Sequence, residues 1–415
     1  MVTLHRILVS IFTLALLCSS LQAQESKITV RDALDIAFRN NPELNRATEQ
    51  INIEKSYAGR ALGIRSPEVY YYKEGINDNL FSEQSWGVSQ SIAFPLTSYY
   101  QRKKVSSDVD VAEMKLTAVE IDIRASVKLA YAELAYAIKR VELIEREVEL
   151  AKELRQTADA RLEAGESTEL DLIQAEIQLA QSQNALMEAE RLKNDARYAL
   201  FRLIGLNPDE QMYGVVYPDT LAYVDVQISQ RQVLNGMDEH PEIKVSELMV
   251  ESSNREINAA KSRFLPDIRF DYYRQDFGNG YDFNGFNVGL TIPLWFGFNE
   301  GQSIQRAKAV RNQAEWSRIE SDLRLKERAE KAWHGYEASR QKIQAHIEVI
   351  ESRSSMLLEL TREGYRMGEL DLLRLLEAQR TYLQGQQVFY QTLKDYYVQL
   401  IELERFVPNE IVFTE

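Results

Sequence analysis

The chain repeats itself. Asn41-Pro42-Glu43-Leu44 recurs 199 residues later as His240-Pro241-Glu242-Ile243, and at the same offset Ala61 and Pro67 fall on Ala260 and Pro266. Pro95-Leu96 recurs as Pro293-Leu294 at offset 198, while Gly165 recurs as Gly368 and Ala175-Glu176 as Ala378-Gln379 at offset 203. Single matches of Pro or Gly arise by chance, but an ordered series at a near-constant offset does not. Such a repeat governs the whole fold. The mature chain therefore reads as two halves of one design, 24–205 and 229–406, joined by a linker at 206–228 and followed by a tail at 407–415. Each half has the same grammar: a helix, a strand pair, a very long helix, a glycine break and a second long helix.

The long helices carry heptad seams. No proline occurs between Pro95 and Pro208, and Ser98 to Glu163 is rich in Ala, Glu, Leu, Lys and Arg. At ~1.5 Å per residue this stretch makes a rod of ~100 Å. Val127, Ala130, Leu134, Ala137, Val141, Ile144, Val148 and Ala151 alternate spacings of three and four, which buries one stripe against a neighbouring helix. The helix expected at 167–203 carries two stripes. One is Leu172, Ala175, Leu179, Ser182, Leu186 and Ala189; the other is Leu170, Ile173, Ile177 and Ala180. Two stripes imply two neighbours, as in a wall of helices. Asn299 to Met367 mirrors the first rod. Taken alone, these heptads favour a soluble periplasmic coiled-coil scaffold or a helical bundle.

Between Pro266 and Pro293 the period shifts from about 3.6 to 2. Ile268, Phe270 and Tyr272 alternate with Arg269, Asp271 and Tyr273, and Phe286, Val288, Leu290 and Ile292 with Asn287, Gly289 and Thr291. Gly278-Asn279-Gly280 supplies a turn between them. The first half repeats the pattern with Val69 and Tyr71, then Trp86, Val88, Ile92 and Phe94, where Gln90 interrupts the apolar row. Strands are expected at about 66–75, 85–94, 266–276 and 284–293. About ten residues cross an outer membrane when tilted, and apolar-out, polar-in alternation with flanking aromatics such as Tyr70, Tyr72, Trp86, Tyr272, Tyr273 and Trp295 marks a transmembrane barrel. A half-buried soluble hairpin shows the same alternation, and pattern does not separate the two. If the strands are in lipid, four cannot close a barrel, for which ~8 is the minimum. An open edge there leaves backbone groups unpaired, so several copies would have to share one barrel.

The first 23 residues read as a secretory signal: Arg6, an apolar run from Ile7 to Leu17 broken by Ser10 and Thr13, then Ala23 at the cleavage point. Cys18, the only cysteine, lies within it, and the bulky Leu17 before it disfavours lipid attachment. The mature chain then has no thiol chemistry. Formal charge is −14, and −15 once Arg6 is removed, which disfavours nucleic acid as a partner. His240, His334 and His346 are isolated, with the last two ~18 Å apart along a helix. No phosphate loop, nucleophile motif or metal-ligand cluster is present. Neither an enzyme nor a cofactor is expected, and transport energy would come from a partner.

Duplicated halves, split hairpins, heptad rods and a signal segment together resemble the TolC outer-membrane efflux family. Motifs that carry the likeness are Val30-Arg31-Asp32-Ala33-Leu34, Asn40-Asn41-Pro42-Glu43-Leu44, Phe94-Pro95-Leu96, Ile292-Pro293-Leu294-Trp295-Phe296-Gly297 and Leu203-Ile204-Gly205-Leu206. The resemblance covers nearly the whole mature chain. It implies a mainly α fold with a small membrane β-barrel: a homotrimer with a twelve-stranded barrel, four strands per subunit, above a twelve-helix periplasmic tunnel. It also implies outer-membrane lipid around the barrel, a periplasmic adaptor and an inner-membrane pump of the RND type as partners, and no nucleic acid. The tunnel tip would lie at the Gly165 and Gly368 turns. In the family an Asp, a Tyr and an Arg hold that tip closed; Asp171 and Tyr365 match the first two, whereas Leu370 stands at the Arg position, leaving Arg366 or Arg374 as substitutes. The family's pair of pore-lining acids falls on Arg374 and Glu377, of which only Glu377 is acidic. Asn77-Asp78-Asn79 and Ser89-Gln90-Ser91-Ile92-Ala93-Phe94-Pro95 look like members paired with heavy-metal resistance pumps of the copper–silver or cobalt–zinc–cadmium type. Multidrug and type I secretion ducts share the fold.

Overall fold

The computed structural model describes residues 28–75, 83–207, 223–278, 280–292, 300–407 and 410–412. The signal segment with Cys18, the Asn77-Asp78-Asn79 motif, residues 208–222 of the linker and the Pro293-to-Gly297 segment lie outside them. In chain order the elements are α1 (Val30–Asn40), α2 (Pro42–Arg60), β1 (Glu68–Glu74), β2 (Glu83–Ile92), α3 (Pro95–Glu163), α4 (Glu169–Ile204), α5 (Gln230–Met237), α6 (Pro241–Ser262), β3 (Asp267–Asp276), β4 (Asp282–Thr291), α7 (Glu300–Arg366) and α8 (Leu372–Glu404). The 69-residue α3 begins at Pro95, three residues before the expected start. Proline is suited to a first turn, where its missing N–H would have no partner. The chain divides into two compact units, one of residues up to 41, 122–230 and 331–415, the other of 42–121 and 231–330.

The second unit contains the sheet, an antiparallel meander ordered β1-β2-β3-β4. Cross-strand rows follow from the register. Val69, Val88, Tyr272 and Phe286 form one row, Gln90, Phe270 and Val288 the next, and Ile92, Ile268 and Leu290 a third. All lie on one face. That face is open: Val69 is 75% and Phe286 64% exposed, while on the opposite face Asp271 is buried and Glu68, Tyr72, Arg269 and Asn287 are exposed. A soluble hairpin hides its apolar side, so an apolar side left open is not what water would select. Gln90 sits in the apolar row because its amide nitrogen donates to the Arg65 carbonyl at 2.7 Å. The sheet is fixed to its neighbours by Arg65–Asp267 at 2.7 Å, by Thr97 Oγ1 donating to the Ser262 carbonyl at 2.8 Å and by Ser98 Oγ donating to that of Leu62 at 2.8 Å.

The first unit is helical. Val127, Leu134, Ala137, Val141, Ile144, Val148 and Ala151 of α3 are buried, with Val141 and Ile144 packed on Ala185, Leu186 and Ala189 of α4. In α4 the stripe through Ala175, Ser182 and Ala189 is covered, but Leu170, Ile173 and Ile177 of the second stripe stand open. α1 starts with a capping box in which Thr29 and Asp32 bond each other's backbone N–H. α4 ends on Gly205 at φ 73; a Cβ there would lie 2.6 Å from the Asn40 carbonyl oxygen, so only glycine allows the approach that lets Asn41 Nδ2 donate to the Leu203 carbonyl at 2.7 Å. After α8 the chain folds back over α3. Lys128, with a side chain 1% exposed, pairs with Glu404 at 2.5 Å and donates to the Val412 carbonyl at 2.9 Å. Glu404 in turn accepts from the Val412 N–H at 3.2 Å, and Arg124 holds Glu410 at 2.7 Å. The described linker residues are held by α7 and α8: Tyr396 Oη donates to the Val224 carbonyl at 2.8 Å, and Arg340 bonds Asp225 at 2.7 Å.

Candidate functional site

Both long helix pairs of the first unit turn on glycine. Gly165 and Gly368 have φ of 77° and 76°, a left-handed conformation that costs other L-residues strain. The bonds around them match one for one. Gly165 N–H donates to the Leu162 carbonyl at 3.0 Å and Glu166 N–H to that of Arg161 at 2.8 Å; Gly368 N–H donates to Tyr365 at 3.1 Å and Glu369 N–H to Gly364 at 2.9 Å. Each pair of bonds satisfies the last carbonyls of a helix. Three residues on, Thr168 and Asp371 cap the next helices. The repeat thus builds the same turn twice, 203 residues apart.

What differs is the third residue of each following helix. In α4 it is Asp171, whose carboxylate accepts from Thr168 N–H at 3.1 Å and Ser167 Oγ at 2.9 Å, while its own N–H donates to Thr168 Oγ1 at 3.3 Å. Burial pushes its pKa up, but the bonds from Thr168 and Ser167 and the nearby charge of Arg161 outweigh that and hold the carboxyl below its usual range. In α8 the matching residue is Arg374; its backbone N–H donates to Asp371 at 2.9 Å and its side chain is exposed.

Tyr365, the last but one residue of α7, is 3% exposed and packs with Leu154, Ala158, Ala175, Leu358, Leu372 and Leu375. Arg161 of α3 reaches it. The guanidinium lies 4.8 Å from the ring centroid, and Nη1 donates to the Tyr365 carbonyl at 2.8 Å. The Tyr365 hydroxyl is buried without a well-formed hydrogen bond. Burial pushes its pKa up, Arg161 opposes that and Asp171 adds to it. The structure therefore brings Asp171 and Tyr365 together around Arg161. Arg366 pairs with Glu363 at 3.2 Å on an exposed face, and Arg374 and Glu377 are exposed. Leu370 packs on Gly364, where an added Cβ would lie 2.7 Å from its Cδ1. Sequence reasoning missed Arg161, although the repeat offered a signal: its mate at offset 203 is Gly364, so the two halves differ at this position.

This arrangement fastens helix ends together. Among the described residues no group of His, Cys, Asp or Glu could hold a metal ion, and no helix is long and apolar enough to cross a membrane. The part of the chain with a membrane-type surface is the sheet. The outer membrane efflux protein family matches residues 33–206 and 237–407, once in each half. The chain belongs to that family. Its members are transport ducts of the outer membrane with a helical periplasmic extension. This efflux protein is 23% identical to the outer membrane efflux protein BepC of Brucella suis over 85% of its own length and 79% of BepC. It is 21% identical to the cobalt-zinc-cadmium resistance protein CzcC of Cupriavidus metallidurans over 86% of its length and 84% of CzcC. Among solved structures it superposes on the CusC channel with a TM-score of 0.76 at 18% identity, covering 92% of this chain and 93% of that one. The fold is that of the family's channels: long helices with a small four-stranded sheet.

Proposed function

We propose that three copies of this chain form a passive outer-membrane export duct for heavy-metal cations, docked to a periplasmic adaptor and an inner-membrane RND-type pump. The observation that carries the duct is the open apolar face of the sheet. Its apolar face stands open, and β1 and β4 are the edges of the four-stranded sheet. Three copies would turn the apolar faces to lipid and pair the edges into twelve strands, removing the unpaired backbone that lipid does not tolerate. The open stripe of Leu170, Ile173 and Ile177 supports the same assembly, since it offers α4 a second helical neighbour. In this reading residues 1–23 are a cleaved signal, and 206–228 join the two repeats.

The tip is the gate. Arg161 ties α3 to Tyr365 of α7, Asp171 of α4 lies within reach of its charge, and the exposed Arg366, Arg374 and Glu377 lie near the turns at Gly165 and Gly368, where an adaptor would bind. Metal cargo is supported by the match to CzcC, whereas BepC is matched at similar identity and its name specifies no cargo. The test is growth of a deletion strain on a panel of metal salts, antibiotics and detergents. Selective sensitivity to copper, silver, zinc, cobalt or cadmium is expected. Sensitivity to drugs and detergents alone would move the duct to multidrug export.

A further inference from the structure

One row of the sheet alternates tyrosine with glycine from edge to edge. Tyr70 stands opposite Gly87, Gly87 opposite Tyr273, and Tyr273 opposite Gly285. The row lies on the polar face, with Asp271 and Ser89. Its members also fit one another sterically. A Cβ on Gly87 would fall 2.6 Å from the Tyr70 ring, and one on Gly285 would fall 2.2 Å from Cζ of Tyr273. Each tyrosine therefore leans across the neighbouring strand and rests on a glycine, with one side of its ring against backbone. Both tyrosines remain partly accessible. No other side chain could occupy the glycine positions without lifting the rings away.

The surrounding charge on this face is negative. By the same register Glu68, Glu74, Glu83, Asp267 and Asp271 share the face; Arg65 pairs with Asp267 at 2.7 Å and Arg269 with Asp271 at 3.3 Å, which leaves the three glutamates as its net charge. An aromatic face in a negative wall attracts a cation twice over, through the ring quadrupole and through the carboxylates. Inorganic ions hold their water and gain little from a ring face, whereas a quaternary ammonium sheds water easily and fits it.

We propose that the Tyr70–Tyr273 row forms a binding subsite for organic cations inside the barrel. This rests on the trimeric duct proposed above, in which three copies would set six tyrosines around the lumen wall. The site would act on what passes through the outer end of the duct, separately from any choice of cargo made by a pump.

The experiment uses the full-length protein in planar bilayers, with tetrabutylammonium chloride added on the barrel side. The expected result is block of the potassium current by tetrabutylammonium. The Tyr70→Leu/Tyr273→Leu variant is expected to raise the half-blocking concentration about fivefold or more. The Tyr70→Phe/Tyr273→Phe variant keeps the ring faces and the fold, and is expected to stay within about twofold of the parent. Block that survives the leucine pair unchanged would overturn the subsite, as would block lost in the phenylalanine pair, which would assign it to the hydroxyls. Current without any block would overturn the subsite and leave the duct standing; absence of channel current both in the parent and in a background carrying Asp171→Ala with Tyr365→Phe to open the tip would overturn both.

Discussion

At the tip, two turns with the same backbone are distinguished by the side chain that follows them, Asp171 in one half and Arg374 in the other. Asp171 is locked into a capping box near the charge of Arg161, which also grips Tyr365. Replacing Arg161 with Met removes a cation–π contact of about 0.5–2 kcal/mol and a hydrogen bond to a carbonyl. Since about 1.4 kcal/mol is tenfold in an equilibrium, the expected outcome is a rise in resting conductance of roughly tenfold in single-channel recordings, and a larger rise for Asp171→Ala with Tyr365→Phe. No change in either variant would remove the gate from this site. The pH dependence has a fixed sign. Asp171 is held below its usual pKa, so its contribution is present above the normal carboxylate range and is lost as pH falls through the lowered value. Acidification should therefore raise resting conductance in the parent, and Asp171→Asn should flatten that response. Asp171 and Tyr365 were legible through the family resemblance. Arg161 was not, because one arginine on a charge-rich helix is background until the fold brings Tyr365, 204 residues away, against it.

The elements divide into those written locally and those that depend on distant partners. Strand alternation is a period of two within ten residues, and the strands appear within three residues of the spans read from it at each end. Heptads on α3 and α4 likewise name their own buried stripe, and Val127, Val141 and Ala175 are buried where the spacing puts them. Gln90 looked like a fault in its strand because its partner, the Arg65 carbonyl, is a loop backbone atom with no sequence signature. The return of the chain over α3 was wholly illegible, since Lys128 and Val412 are 284 residues apart. Yet that contact is tightly specified. Lys128→Met would leave Glu404 without its buried cation, a type of loss that costs about 3–5 kcal/mol. A clear fall in the thermal unfolding temperature is the expected result, with partial recovery in Lys128→Met/Glu404→Leu, where no buried charge is stranded. At the turns, Gly165→Ala should cost about 1 kcal/mol, because the new Cβ meets empty space and only the left-handed backbone resists it.

For the whole molecule, the two faces of the sheet make opposite predictions. Val288 and Asn287 are adjacent on β4 and point to opposite sides. Val288→Lys places a charge on the apolar face, at a cost of about 2–4 kcal/mol if that position lies mid-bilayer, and should reduce the yield of heat-resistant trimer in outer-membrane fractions. Asn287→Lys should leave the yield near that of the parent. Equal yields from both would contradict a lipid-facing surface. The open apolar face of the sheet also sets a schedule for the protein's life before it is in place. An apolar surface and two unpaired edges are an aggregation hazard in water. The helical units can gain their stability in the aqueous compartment, but the strands have nothing to gain there. The finished sheet is safe only at its destination, so the hairpins must travel unformed or shielded by a holding chaperone. Strand closure, lipid entry and association of the three copies then become one coupled final event, and any delay in meeting the other copies lengthens the time the chain is open to proteolysis.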